Sequence, residues 1–285
     1  MKKIKLLTDS TCDLSEELLK QNDIGVIPLY VNLGEESFQD GVDLSTDQMY
    51  DLVEKHDVVP KTAAASPGDF ETIFRHYLKK ECQIIYLGIG SKFSATFQNA
   101  LIAKNMLNSD DIHLIDSHNL SSGSGLLLLK ASRYIKDGDG IETVVEKVTS
   151  LVPKVRSQFI IDTLDYLHKG GRLKAISALV GTMLRVKPII RVIDGEMAIG
   201  KKPRGKLKNG IKIMFSDMLK DKAQLDGDFV MITHSQSHEN AGYIKTLLQA
   251  NLPEIKNIHE TEAGCVISSH CGPKTIGILY LIEEN

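Results

Sequence analysis

Short apolar runs alternate with helix-periodic segments through the first half of this chain, and this alternation restricts the fold more than any other feature. Residues 4–7, 26–31, 84–87 and 113–116 read as strands. Residues 15–21, 45–55, 67–79 and 100–107 read as helices, with Ser45 and Asp69 near two of the starts. A glycine-rich turn, Ser121-Ser122-Gly123-Ser124-Gly125, opens a further helix over 126–135. Strands that alternate with helices predict a parallel sheet covered by helices on both faces. Such sheets bind ligands beyond the carboxyl ends of their strands.

The second half reads differently. Residues 157–161, 188–192, 196–200, 229–233 and 277–282 are strand candidates. Asp194-Gly195 is a hairpin signal between two of them. A short helix over 164–169 stops at Gly170-Gly171, and residues 176–184 form another helical pattern. This half predicts a mixed sheet, with a domain boundary near residue 155. The expected fold class is therefore α/β: an N-terminal parallel-sheet domain over 1–155 and a C-terminal mixed-sheet α/β domain over 156–285.

Composition narrows the function. The chain has 285 residues, 42% hydrophobic and 25% charged, with net charge −3, so no global field favours nucleic acid. No apolar run approaches the roughly 18 residues of a membrane span, which predicts no stable membrane insertion. The basic start, Met1-Lys2-Lys3, precedes an apolar stretch too short for a signal peptide. Cys12, Cys82, Cys265 and Cys271 form no CxxC pair, so reduced thiols and a cytoplasmic setting are expected.

The segment with most chemical promise is Gly88-Ile89-Gly90-Ser91-Lys92-Phe93-Ser94-Ala95-Thr96. The hydroxyls of Ser91, Ser94 and Thr96 crowd a strand-to-helix turn, where unpaired N–H groups can hold an anion. A single hydroxyl there is more simply a helix cap. Phe93 stands where a dinucleotide fingerprint needs its third glycine, and neither a Walker A sequence nor a GxSxG elbow occurs, so no nucleotide cofactor is implied. His234 and His238 are four apart but follow a strand in loop-like sequence, and Cys265, His270 and Cys271 lack a fourth ligand type nearby, so no metal is expected. The run Lys201-Lys202-Pro203-Arg204-Gly205-Lys206-Leu207-Lys208 is a solvated edge or a phosphate contact. Arg172, after the Gly170-Gly171 stop, and His270, in an expected tight turn before a strand, complete the candidates.

Together these segments resemble the DegV family. The resemblance is carried by Thr8-Asp9-Ser10-Thr11-Cys12-Asp13-Leu14, Pro60-Lys61-Thr62-Ala63, Ser91 through Ala100, Asp162 through Arg172, and His270-Cys271-Gly272-Pro273, in the family's order and spacing along nearly the whole chain. It implies a two-domain fold and a carrier without chemistry of its own. The carrier holds a long-chain fatty acid of the palmitate or oleate class in a buried tunnel and presents it to a separate ATP-dependent kinase subunit that makes an acyl phosphate. Thr62, Ser94, Ser91 and His270 would then meet the carboxylate, and Arg172, Arg204 and His270 the phosphoryl-transfer encounter. The helical segment 177–184, with Leu179, Val180, Met183 and Leu184, would line the tunnel. Two positions depart from the family pattern: Ala63 removes a second hydroxyl, and Ala95 places a Cβ where glycine is usual. The rival class is an acyl hydrolase or transferase using Ser94 or His270.

Overall fold

The computed structural model describes residues 2–172 and 186–283. The tunnel-lining segment expected at 177–184 lies outside them. In chain order the first half holds β1 (Ile4–Asp9), α1 (Glu16–Gln21), β2 (Ile24–Ile27), β3 (Tyr30–Leu33), β4 (Glu36–Gln39), α2 (Thr46–His56) and β5 (Lys61–Ala63). Then come α3 (Pro67–Leu78), β6 (Gln83–Gly88), α4 (Thr96–Leu107), β7 (Ile112–Asp116), α5 (Ser122–Lys136) and α6 (Ile141–Leu151). The second half holds β8 (Val155–Ile160), α7 (Asp165–Lys169), β9 (Ile189–Ile193), β10 (Glu196–Ile199) and α8 (Leu207–Met218). It closes with β11 (Leu225–Ser235), α9 (His238–Asn251), β12 (Asn257–Glu262), α10 (Cys265–Cys271) and β13 (Thr275–Ile282).

The first sheet, ordered β2-β1-β6-β7, is parallel throughout, as the alternation predicts. Its strands are buried on both faces. Leu6, Ile85, Leu87 and Ile115 pack on the leucine run of α5 and on α6, while Leu7, Ile84, Tyr86 and Ile112 pack on Phe70 and Phe74 of α3 and on α4. The second sheet, ordered β10-β9-β8-β13-β11-β12, is antiparallel except for the β11–β12 pair. Helix α5 joins the two sheets, because its leucines share one core with Leu6 and Ile85 on one side and Met231 and Leu279 on the other.

Local sequence explains several departures from expectation. The run 26–31 is two strands in different sheets, since Pro28 lacks an N–H and ends β2. β3 then pairs with the short strands β4 and β5 in a small antiparallel sheet. Ser66, three residues before Asp69, caps α3 in a reciprocal capping box. The glycine-rich turn is the first turn of α5 rather than its approach. A Cβ at Gly123 would come 2.0 Å from Asn119 Oδ1, so glycine lets the helix seat this closely. His234 belongs to β11 and His238 starts α9, not a loop. The four cysteines are buried free thiols, and among the described residues no helix is long and apolar enough to cross a membrane.

Candidate functional site

The loop after β6 is built around a buried carboxylate. Asp9, at the end of β1, accepts from Tyr86 Oη at 2.7 Å and from the Ile89 N–H at 2.9 Å. A Cβ at Gly88 would lie 2.0 Å from Asp9 Oδ2, which is why the strand ends on glycine. From this anchor the chain carries Phe93 and Ser94 past the strand end into α4. Ser94 Oγ accepts from the Thr96 N–H at 3.2 Å and lies 2.8 Å from Thr96 Oγ1. It thus tends the helix start while staying half-buried. Ala95 sits at φ −70°, ψ −4°, a conformation open to any residue, so its methyl does not distort the turn.

His270 comes from the other half of the chain. The tight turn expected around it is the helix α10, followed by Gly272 at φ +75°. Two carboxylates from the first half hold the N-terminus of that helix: Asp40 Oδ1 accepts from the Cys265 N–H at 2.7 Å, and Asp13 Oδ1 from the Gly264 N–H at 2.8 Å. Burial pushes the Asp13 carboxyl well up and raises Asp40 as well. Sequence reasoning missed both as site-builders. Asp13 lay within a quoted motif, but nothing local showed what it caps.

α10 brings His270 to β5, where Nε2 lies 2.9 Å from Thr62 Oγ1. The ring is half-buried, and among the described residues its Nδ1 has no hydrogen-bond partner. Burial, reinforced by the Arg172 charge, lowers the imidazole pKa to about 4. The ring is therefore neutral near pH 7.

These residues meet on one cavity of about 230 Å³. It lies beyond the carboxyl ends of β6 and β7, against the face of the second sheet that carries Ser157, Phe159, Gly277 and Leu279. Thr62, Ser94, His270 and Arg172 all line it, whereas Ser91 and Arg204 do not. The Ser91 side chain is exposed where its N–H bonds Asp116 Oδ1 at 3.1 Å. Arg204 is exposed on a bridge to Val186. Most of the remaining wall is aliphatic or aromatic, including Leu29, Ile89, Phe93, Leu167 and Ile267. A mostly apolar cavity with a few hydroxyls and a neutral imidazole paired to one of them suits an apolar ligand with a polar end.

His234 and His238 are brought together with Glu260, their ligating atoms lying within 4.8 Å of one another. His234 Nδ1 already accepts from the Ser237 N–H at 3.3 Å, which leaves the neutral ring's proton on Nε2, toward Glu260 Oε1 at 3.6 Å. A cation at Nε2 would have to displace that arrangement.

The fold and cavity define a class: an α/β protein of two joined sheets with a mostly apolar site between them. Residues 3–283 match the DegV family. A DegV domain-containing protein of Clostridium acetobutylicum is 37% identical over 281 residues, covering 99% of both chains. A Thermus thermophilus DegV family protein whose structure is described as showing fatty acid binding superposes with TM-score 0.91 at 27% identity, covering 98% of this chain and 99% of that one. A stearic-acid-binding protein of Eubacterium ventriosum superposes with TM-score 0.86 at 26% identity, covering 99% of each. The chain belongs to the DegV family.

Proposed function

We propose that this protein is a carrier that binds one long-chain fatty acid of the palmitate or oleate class and presents the carboxylate to an ATP-dependent kinase for acyl-phosphate formation. The observation that carries the reading is the asymmetry of the cavity. Its wall is mostly apolar, and its other polar groups are spent within the protein: Ser121 on Asp13, Ser157 on Asn119, Thr233 on Thr261, Thr275 on the Cys271 carbonyl and His234 on the Ser237 N–H, which leaves the Thr62–His270 pair and Ser94 as the groups that face a ligand. Burying each methylene is worth about 0.8 kcal/mol, so the tail supplies the affinity and the corner supplies orientation. Neutral donors suit a carboxylate that must later accept a phosphoryl group, because a tight salt bridge would hold its charge in place. Arg172 stands at the mouth, where a phosphate or an acidic partner surface would approach. The fatty-acid binding described for the Thermus and Eubacterium proteins supports the ligand class.

The Thr62–His270 contact also suggests a nucleophile and base, which favours the acyl-hydrolase alternative. Two features weigh against it: the imidazole is a poor base with its pKa near 4, and among the described residues no carboxylate meets Nδ1 to orient a catalytic histidine. Native mass spectrometry of protein incubated with palmitate tests the reading. A noncovalent one-to-one complex supports the carrier. A covalent acyl adduct supports the hydrolase, and no complex overturns the carrier.

A further inference from the structure

Beside the first cavity lies a second of about 890 Å³. Among the described residues, Ser157 alone lines both. It is 3% exposed, and its Oγ donates to Asn119 Oδ1 at 2.7 Å. Asn119 lines the second cavity, and a Cβ at Gly123 would come within 2.6 Å of Ser157 Oγ. Ser157, pinned by Asn119 beneath the first turn of α5, therefore stands in the partition between the two spaces.

The position of this partition follows from strand register. Ser157 pairs with Leu279, while Thr275, whose hydroxyl bonds the Cys271 carbonyl, lies at the His270 end of the cavity. The four residue steps between them along β13 span roughly 13 Å. The partition thus stands at the end remote from the polar corner.

Two further observations concern what lies on either side. The first cavity is smaller than the roughly 300–1,000 Å³ of most ligand pockets, although a long acyl chain is proposed to occupy it. The charged wall of the second cavity is self-satisfied: Asp217 takes Arg191 and Lys220, and Asp221 accepts from Tyr280 Oη at 2.7 Å. Around Ser157 it presents the polar Asn119, Arg156 and Gln158 together with the aliphatic Ile115, Val155 and Val192, the last of these the cross-strand partner of Ser157.

Resting on the fatty-acid reading, we propose that the distal end of the acyl chain passes Ser157 into the second cavity, so that the Ser157–Asn119 partition sets chain-length preference. Serine is small enough to let a methylene chain by, and a branched side chain there would close the passage.

The test measures the affinities of laurate, palmitate and stearate for the wild type, Ser157→Val, Ser157→Gly and Val192→Phe, each checked for folding by thermal melt. Ser157→Val should weaken stearate and palmitate at least ten-fold while laurate stays within about three-fold. Val192→Phe fills the second cavity from its far side and should give the same pattern. Ser157→Gly should shift preference toward stearate relative to laurate. A length profile unchanged from wild type in the folded variants overturns the proposal. Failure of the wild type to bind any of the three acids overturns the fatty-acid reading instead.

Discussion

Thr62 Oγ1 and His270 Nε2 lie 2.9 Å apart although 208 residues separate them in sequence. One stands on a short edge strand and the other on a helix whose start is held by Asp13 and Asp40. The contact joins the two halves of the chain at the polar corner of the cavity.

Removing the Thr62 hydroxyl takes a bond from His270, and removing that of Ser94 takes one from Thr96, each in a half-buried place. Thr62→Ala and Ser94→Ala should each weaken fatty-acid binding by about 1–3 kcal/mol, the usual cost of an unpaired buried polar group. Titration calorimetry with palmitate reads this directly. Wild-type affinity in both variants would remove the carboxylate from this corner.

The same histidine gives a pH signature. Its folded pKa of about 4 lies below the ordinary 6.5, so the folded state favours the neutral ring. The unfolded chain takes up a proton first as pH falls. The stability held at neutral pH is therefore lost between about 6.5 and about 4, to an upper bound of roughly 3 kcal/mol. Urea unfolding at several pH values should show wild type losing this much relative to His270→Gln, which cannot titrate. A constant difference across the window would mean the ring is not held neutral.

What was legible in the sequence was local. Each strand and following helix of the parallel sheet lies within one short stretch, so hydrophobic periodicity revealed it. The Asp194-Gly195 hairpin was equally readable, because both residues occupy positive φ, at 51° and 77°. Pro28 misled only because an apolar run can cross a sheet boundary without changing composition. The corner itself was less accessible. Thr62 and His270 were named from a family resemblance; no spacing rule brings β5 to α10. The capping of α10 by Asp13 and Asp40 depends on contacts more than 220 residues apart. Ser91 shows the opposite limit, since a hydroxyl three residues from one that lines the cavity can still point to solvent. Ser157 offered no signal at all, being an ordinary strand serine until two cavities are seen to share it.

Asp9 should prove a positioning residue. Its carboxylate holds Tyr86 and the Ile89 N–H, and so aims the loop that carries Ser94. Asp9→Asn turns one acceptor oxygen into a donor facing other donors. A loss of about 3 kcal/mol in chemical denaturation is expected, together with weaker palmitate binding. Tyr86→Phe removes only one bond and should cost less, about 1–2 kcal/mol. Equal stability of Asp9→Asn and wild type would show that the loop is anchored elsewhere.

Arg172 and Arg204 allow a final comparison between a cation at the cavity and one away from it. Arg172 is exposed, lines the cavity and bonds the Gly170 carbonyl at 3.0 Å through Nη1. Its charge is the second cause, after burial, of the low His270 pKa. Arg172→Ala should therefore raise the His270 pKa toward its ordinary value, a shift visible in an NMR titration of the imidazole. An exposed charge contributes no more than about 1 kcal/mol to a nearby carboxylate, so palmitate binding should fall only several-fold. Acyl-phosphate formation with a cognate kinase and ATP should fall further, at least ten-fold, because in the proposed function the phosphate meets Arg172 only during transfer. Arg204 does not line the cavity, so Arg204→Ala should leave the imidazole titration and palmitate binding as they are, and turnover within about two-fold. A loss of turnover in Arg204→Ala matching that of Arg172→Ala would instead place the basic run around residue 204 on the kinase-facing surface.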